Sequence, residues 1–372
     1  MNTTKKEYFM NNFKKIGLTA LAGSLVTLGS ATAGEMSVSG GINTTLKFGA
    51  GGGNTSRSIG ADRDFTFSGG GELDNGTTFS MSTTLTDAYV LSGSTTTITT
   101  PSLGAFTLGA SNGSVSYMFD EEVPQAYEQV SDAKQTMANL VGNFMDNNNI
   151  MYSAPTLEVA GATINAYVGY SPQADDGTNV TDGGSVSYDA TIGAGKEAGV
   201  KIAYEGLTLG VYGAERDRTD PGTNNASGQS ESDEFNGAWF ATYSFGPVSI
   251  GYSETYMDAG VTQASTTTVN TIKNERTAAG LFEGEQMSIA FNVNDNLSLS
   301  YTTSDEVYDN QDDVATAVTT DDDVTESIDA IQIAYSMGGM SIKAYNMEVT
   351  NPGQDDNAAD QSVTEIALGF AF

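Results

Sequence analysis

Residues 286–302 read Gln-Met-Ser-Ile-Ala-Phe-Asn-Val-Asn-Asp-Asn-Leu-Ser-Leu-Ser-Tyr-Thr. Met287, Ile289, Phe291 and Val293 are apolar, and Ser288, Ala290 and Asn292 between them are small or polar. That is the period of a β-strand with one apolar face. Asn294-Asp295-Asn296 supplies a tight turn, and the chain returns with Leu297, Leu299 and Tyr301 alternating against Ser298, Ser300 and Thr302. In a soluble sandwich the apolar face points inward and the other face carries water-facing charge. Here the second face is Ser, Thr, Asn, Ala and Gly, the lining of a wet lumen, which leaves the apolar face for lipid.

The same unit recurs. Ile331, Ile333 and Tyr335 lead through Met337-Gly338-Gly339 to Met340, Ile342 and Ala344. Trp239, Ala241, Tyr243 and Phe245 turn at Gly246-Pro247 into Val248, Ile250 and Tyr252. Val200, Ile202 and Tyr204 turn at Glu205-Gly206 into Leu207, Leu209 and Val211. Phe65 and Phe67 pass through Leu73-Asp74-Asn75-Gly76 to Phe79 and Met81, and looser turns fall at 100–104 and 155–161. Seven short turns on one rim, with both termini there, predict 16 strands. Eight longer connections are expected at 49–62, 86–87, 112–148, 172–197, 217–234, 256–284, 304–324 and 348–361. The expected fold is all-β: a transmembrane up-and-down antiparallel barrel of about 16 strands.

Composition agrees. The chain of 372 residues carries 15 Lys and Arg against 47 Asp and Glu, a formal charge of −32, which argues against a nucleic-acid partner. Acidic loops such as Asp321-Asp322-Asp323 account for much of this charge. Without His or Cys there is no Ser-His-Asp or Cys-His chemistry, thiolate metal site or disulfide, and no enzyme is expected. The 17 Tyr and 16 Phe lie in alternating patterns, which demotes disorder despite 43 Gly. Residues 1–33 read as a secretory signal, with Lys5, Lys6, Lys14 and Lys15, an apolar run from Ile16 to Leu28 and a cleavage site at Ala31-Thr32-Ala33. Met10 is an alternative start. The barrel domain is then 34–372.

The sequence resembles the Gram-negative general porins, most closely the alphaproteobacterial type, over the whole of 34–372. The resemblance rests on Gly40-Gly41-Ile42-Asn43, Arg63 to Phe79, Leu103-Gly104-Ala105-Phe106-Thr107-Leu108-Gly109, Tyr152-Ser153-Ala154-Pro155, Phe245-Gly246-Pro247-Val248 and the terminal Phe372. It implies an outer-membrane homotrimer in contact with lipid and lipopolysaccharide, one water-filled pore for small hydrophilic solutes per subunit, and Phe372 as the signal read by the assembly machinery. Small residues at Gly69-Gly70-Gly71 and Ser94 to Thr100 suit a wall that packs on another barrel.

The resemblance also implies that the third long connection, 112–148, folds into the lumen and narrows it. It carries Asp120, Glu121, Glu122, Glu128, Asp132 and Asp146 against Lys134, and Val130 to Phe144 is expected to hold a helical turn anchored by Met137, Leu140, Val141 and Phe144. In that family an acidic loop faces a basic wall across the pore. Parity puts Lys47, Lys201 and Lys343 on the inner face, and Arg63 outside beside an inward Asp64. The wall is thinly basic, so a cation-preferring pore is expected. No cofactor is expected; a structural calcium at Asp120, Glu121 and Glu122 is the one metal site entertained, and no EF-hand spacing is present. Tyr167, Tyr212 and Tyr345 share inward parity and offer a stacking track for a sugar or nucleoside, which makes a substrate-selective channel the alternative. An exported acidic adhesin is a lesser one, and the carboxylates define no glycosidase groove.

Overall fold

The computed structural model describes residues 35–86, 89–111, 113–133, 141, 145, 148–174, 192–218, 230–231, 233–258, 260–262, 281–309 and 324–372. The expected signal at 1–33, together with Lys134, Asp146, Met137, Leu140, Phe144 and Asp321 to Asp323, lies outside these residues.

Sixteen antiparallel strands follow one another: β1 Glu35–Gly51, β2 Asn54–Glu72, β3 Thr78–Thr86, β4 Val90–Thr100, β5 Gly104–Ser111, β6 in two pieces (Asn149–Ser153 and Leu157–Val159), β7 Ala162–Ser171, β8 Ile192–Tyr204, β9 Leu207–Arg218, β10 Glu234–Phe245, β11 Val248–Asp258, β12 Leu281–Asn294, β13 Leu297–Asp309, β14 Val324–Met337, β15 Met340–Thr350 and β16 Gln361–Ala371. Each pairs with its neighbours in sequence, and β1 closes on β16 from Gly41↔Ala371 to Gly51↔Gln361. Both pieces of β6 pair with β7, so Pro155, which has no N–H to give a ladder, interrupts a strand rather than ending it. The turn there is Ala160-Gly161, both at positive φ. Closure leaves no edge at the join, the condition for a sheet to sit in hydrocarbon.

All seven short turns stand where the alternation puts them. Several of the long connections are shorter than expected, though those after Thr86 and Ser111 are not. Residues 49–62 are almost wholly strand, because β1 and β2 run on to a two-residue turn at Gly52-Gly53. β8 likewise starts at Ile192, so Glu197 belongs to the wall and not to a loop. Gly, Ala and polar or charged residues fill both stretches and erase the apolar alternation that marks a strand.

Met287, Ile289 and Phe291 of β12 are all more than 40% exposed, as are Ile331, Ile342, Ile366 and Phe370 on later strands. An apolar surface this continuous suits a lipid solvent. Toward the long connections the outward residues change character: Glu254, Glu285 and Asp305 stand directly in register across β11, β12 and β13, and mark the edge of the apolar belt.

Candidate functional site

The site is the lumen, built from the third connection and the inner face it meets. The contacts of residues 113–133 follow strand order. Val115 and Ser116 donate their backbone N–H groups to the two carboxylate oxygens of Glu197 on β8, at 2.6 and 3.2 Å, and Tyr212 of β9 donates its hydroxyl to the same group at 3.2 Å. Phe119 then packs on Tyr212, Tyr167 and Phe240, ring centroids 5.5 to 6.4 Å away. The Pro124 carbonyl accepts from Ser288 of β12, and the Ala126 N–H donates to Ser300 Oγ of β13 at 2.9 Å. Tyr127 ends the run: its N–H donates to Gln332 of β14 at 2.7 Å and its hydroxyl to Glu365 of β16 at 2.7 Å. The connection therefore lies against the inner face of β8 to β16.

Two inward glycines permit this close approach. A Cβ on Gly199 would collide with Phe119, and one on Gly251 with Pro124. A short 3-10 turn at Val130–Ala133 stands where a helical turn is expected, and Val141 is fully buried with Met145 in the cluster around Val115 and Phe119.

The expected site residues divide into different roles. Glu121 does not face the pore. It is 6% exposed and its carboxylate accepts from Val130 N–H, Ser131 Oγ and Gln286 Nε2, so it fastens the loop to itself and to β12. Glu122 pairs with Lys201 at 2.9 Å, and Lys201 also lies 5.1 and 5.2 Å from the Phe119 and Phe240 ring centroids. Lys343 is 4% exposed, its ammonium 4.2 Å over the Tyr127 ring. Lys47 is inward as parity requires and pairs with Glu365 at 3.2 Å. Asp120 and Glu128 are half-buried; the carbonyl of Glu128 accepts from Gln332 Nε2 at 2.6 Å. The Asp132 side chain lies outside the described residues.

The expectation of a loop facing a basic wall across open space is thus corrected for these pairs: the cations touch the loop or its anchors. Arg216, the other inward cation described, is buried against Glu234. Glu121 and Glu122 turn to different partners, while the described carboxylates that do converge are Glu215, Asp217 and Asp233, with ligand atoms within 4.8 Å of one another. Tyr212 and Tyr345 are 4% and 2% exposed beneath Phe119 and Tyr127, so they anchor the loop and form no stacking track.

Burial and neighbouring charge act on Tyr127 together. Removal from water, then the Glu128 charge and the bond to Glu365, push its hydroxyl far above the usual tyrosine range, which keeps it protonated as a donor. The anchors that sequence reading missed are Glu197, Gln286, Ser300, Gln332 and Glu365. Except for Glu197, which the sequence places in a connection, their inward parity was readable; which of them meets the loop depends on where the loop is laid.

The opposite inner face is different in kind. Thr66, Ser68, Ser82, Thr84, Thr95 and Thr97 on β2, β3 and β4 are half-exposed, and Thr66 bonds Thr84 at 2.9 Å while Thr97 bonds Thr107 at 3.0 Å. Hydroxyls paired across strands in this way satisfy each other and still present oxygen to water.

No family model and no curated protein matches the chain. Solved structures do. OmpF of Salmonella typhi, in complex with daunomycin, aligns with a TM-score of 0.61 at 11% identity over 90% of this chain and 97% of its own. The anion-selective porin of Comamonas acidovorans gives 0.58 at 12% over 91% and 99%. The trimer form of in-vitro folded OmpT, an outer membrane protein of Vibrio cholerae, gives 0.59 at 13% over 91% and 100%. At these identities the likeness is one of fold: the closed 16-strand barrel of outer-membrane porins.

Proposed function

We propose that this chain is a porin of a Gram-negative outer membrane, a water-filled channel through which small hydrophilic solutes and ions diffuse, and that it works as a homotrimer. The observation that carries this reading is the two-sided lumen: a loop covers the inner face of β8 to β16, and a half-exposed Ser and Thr wall stands on β2 to β4. A hydroxyl-lined face of this kind belongs to a wet interior, not to a packed core. The apolar exterior and the fold shared with porins and channels support the location, and a trimer form among the similar structures supports the assembly. The last strand joins β1 at Gly40 through paired backbone bonds from Phe372, 2.9 Å each, which suits its proposed role as the strand the assembly machinery recognises.

The pore prefers cations on this reading. Every described inward cation, namely Lys47, Lys201, Arg216 and Lys343, is in contact with a carboxylate or a tyrosine ring, while Asp62, Asp64, Asp120 and Glu128 add inward or loop carboxylates. We read the protein as non-enzymatic and general in its solutes, because two of the three tyrosines that would make a selective track, Tyr212 and Tyr345, are packed under the loop and only Tyr167 keeps partial exposure. Swelling of proteoliposomes in sugars of graded size tests this. A smooth decline of rate with solute mass is expected; uptake of a single solute class would overturn it.

A further inference from the structure

The wall is not of even height. β2 has 19 residues, yet β3 pairs only with Phe65–Glu72, from Phe65↔Leu85 to Glu72↔Thr78. Above that point no described strand lies on the β3 side of Asn54–Ala61, although β1 pairs with that whole stretch on the other side. Half the peptide groups of an antiparallel edge strand point away from its partner, so this stretch carries a row of outward-directed N–H and C=O groups. Its side chains are as open as its backbone. Residues 55–61 are all exposed, Ile59 at 80%, and Arg57 and Arg63 stand exposed on the outer side. Next to this edge the rim is low: β3, β4 and β5 have 9, 11 and 8 residues.

Two arginines on or just beside an open edge are conspicuous in a chain of net charge −32. The complementary surface is present on the same molecule, on the other flank of β1. The connection 351–360 carries exposed Asp355, Asp356 and Asp360 and no basic residue, and it stands level with the tip of the β1–β2 hairpin, since Gly52 approaches Ala359. Basic edge and acidic loop are three strand positions apart on the barrel. For 16 evenly spaced strands that is about 68° of circumference. In a closed three-fold ring a subunit's two neighbours are seen about 60° apart, in a four-fold ring about 90°, and a two-fold contact uses one self-complementary patch.

We infer that the free edge of β2 is a subunit contact, and that it receives the acidic 351–360 connection of a second copy of this chain. The contact is head to tail, repeated three times around the ring. It rests on the homotrimer reading above and specifies the surface that makes it.

The full chain lacks cysteine, so introduced thiols report without background. The protein carrying both Ile59→Cys and Asn357→Cys, treated in membranes with a flexible bis-maleimide, is expected to give a covalent ladder ending at the trimer under denaturing conditions. Ile59→Cys alone should give none. A covalent dimer from Ile59→Cys alone would overturn the inference in favour of edge-to-edge pairing, and a trimer by native mass without a ladder would overturn it while leaving the assembly intact. A monomer by native mass would remove the homotrimer itself. Arg57→Glu with Arg63→Glu should lower the ladder yield at least fivefold in a barrel that still migrates as folded when unheated, and Asp355→Lys with Asp356→Lys should restore it. Unchanged yield in the reversed variant also overturns the inference.

Discussion

Lys201 Nζ lies 2.9 Å from Glu122 Oε1, so a wall cation and a loop carboxylate placed by sequence on opposite sides of a pore are in contact. The pair joins the loop to β8 and removes one positive charge from the field a passing ion meets. Because both partners keep part of their exposure, the bond itself contributes only about 0.2–1 kcal/mol. Lys201→Met is therefore expected to leave barrel stability nearly unchanged while freeing Glu122. Reversal potentials for the variant should move further toward cations, and movement toward anions would show that Lys201 is screened by something else.

Glu197 holds the start of the loop through two backbone donors and Tyr212, and it is 4% exposed. Glu197→Ala leaves those donors in a buried site, at about 1–3 kcal/mol for each unsatisfied group. Limited proteolysis is the measurement: cleavage within 113–133 should appear in a barrel whose unheated gel mobility is unchanged. Resistance equal to the parent would mean that the loop is held from its other end alone.

Gly199 and Gly251 are needed for distance rather than for turning. Gly199→Val and Gly251→Val each place atoms where Phe119 or Pro124 now lies, and overpacking of this kind costs about 1–3 kcal/mol. The loop, being the softer side, should yield. Single-channel recordings are expected to show altered and noisier conductance; recordings identical to the parent would show that the loop does not bound the conducting path.

Tyr127 gives a spectroscopic prediction. Its hydroxyl is held above the normal range, so its share of stability is fully present below the unfolded value of about 10 and is lost as the pH climbs toward the folded value. Ultraviolet titration of the folded protein should leave Tyr127 un-ionised where ordinary tyrosines have already titrated, seen as a missing increment that Tyr127→Phe does not change. If that substitution removes an increment titrating near 10, the hydroxyl is not buried as described.

The barrel was legible because its signal is local. Ser288 to Tyr301 shows strand period, turn and return within 14 residues, and the inward parity of Lys47, Lys201 and Lys343 follows from their apolar neighbours. Residues 49–62 were misread because Gly, Ser, Thr, Asn, Asp and Arg make a strand whose outer face is not lipid. The loop's anchoring was hidden for a different reason. Glu197 and Val115 are 82 residues apart, and Tyr127 and Glu365 are 238 apart, so their meeting depends on how the loop crosses a closed wall. Glu121 and Glu122 are adjacent and chemically alike; one became a buried clamp and the other an ion-pair partner through the direction of a backbone with positive φ at Glu121.

Current through the purified protein in a planar bilayer under a salt gradient tests the central claim most directly. The account predicts stable, ohmic single-channel steps with a reversal potential of the sign given by cations permeating faster than anions. Absence of conductance would contradict the wet lumen, and an anion-sign potential would contradict the pairing of Lys47, Lys201 and Arg216 with carboxylates and the burial of Lys343 against Tyr127, on which the preference rests.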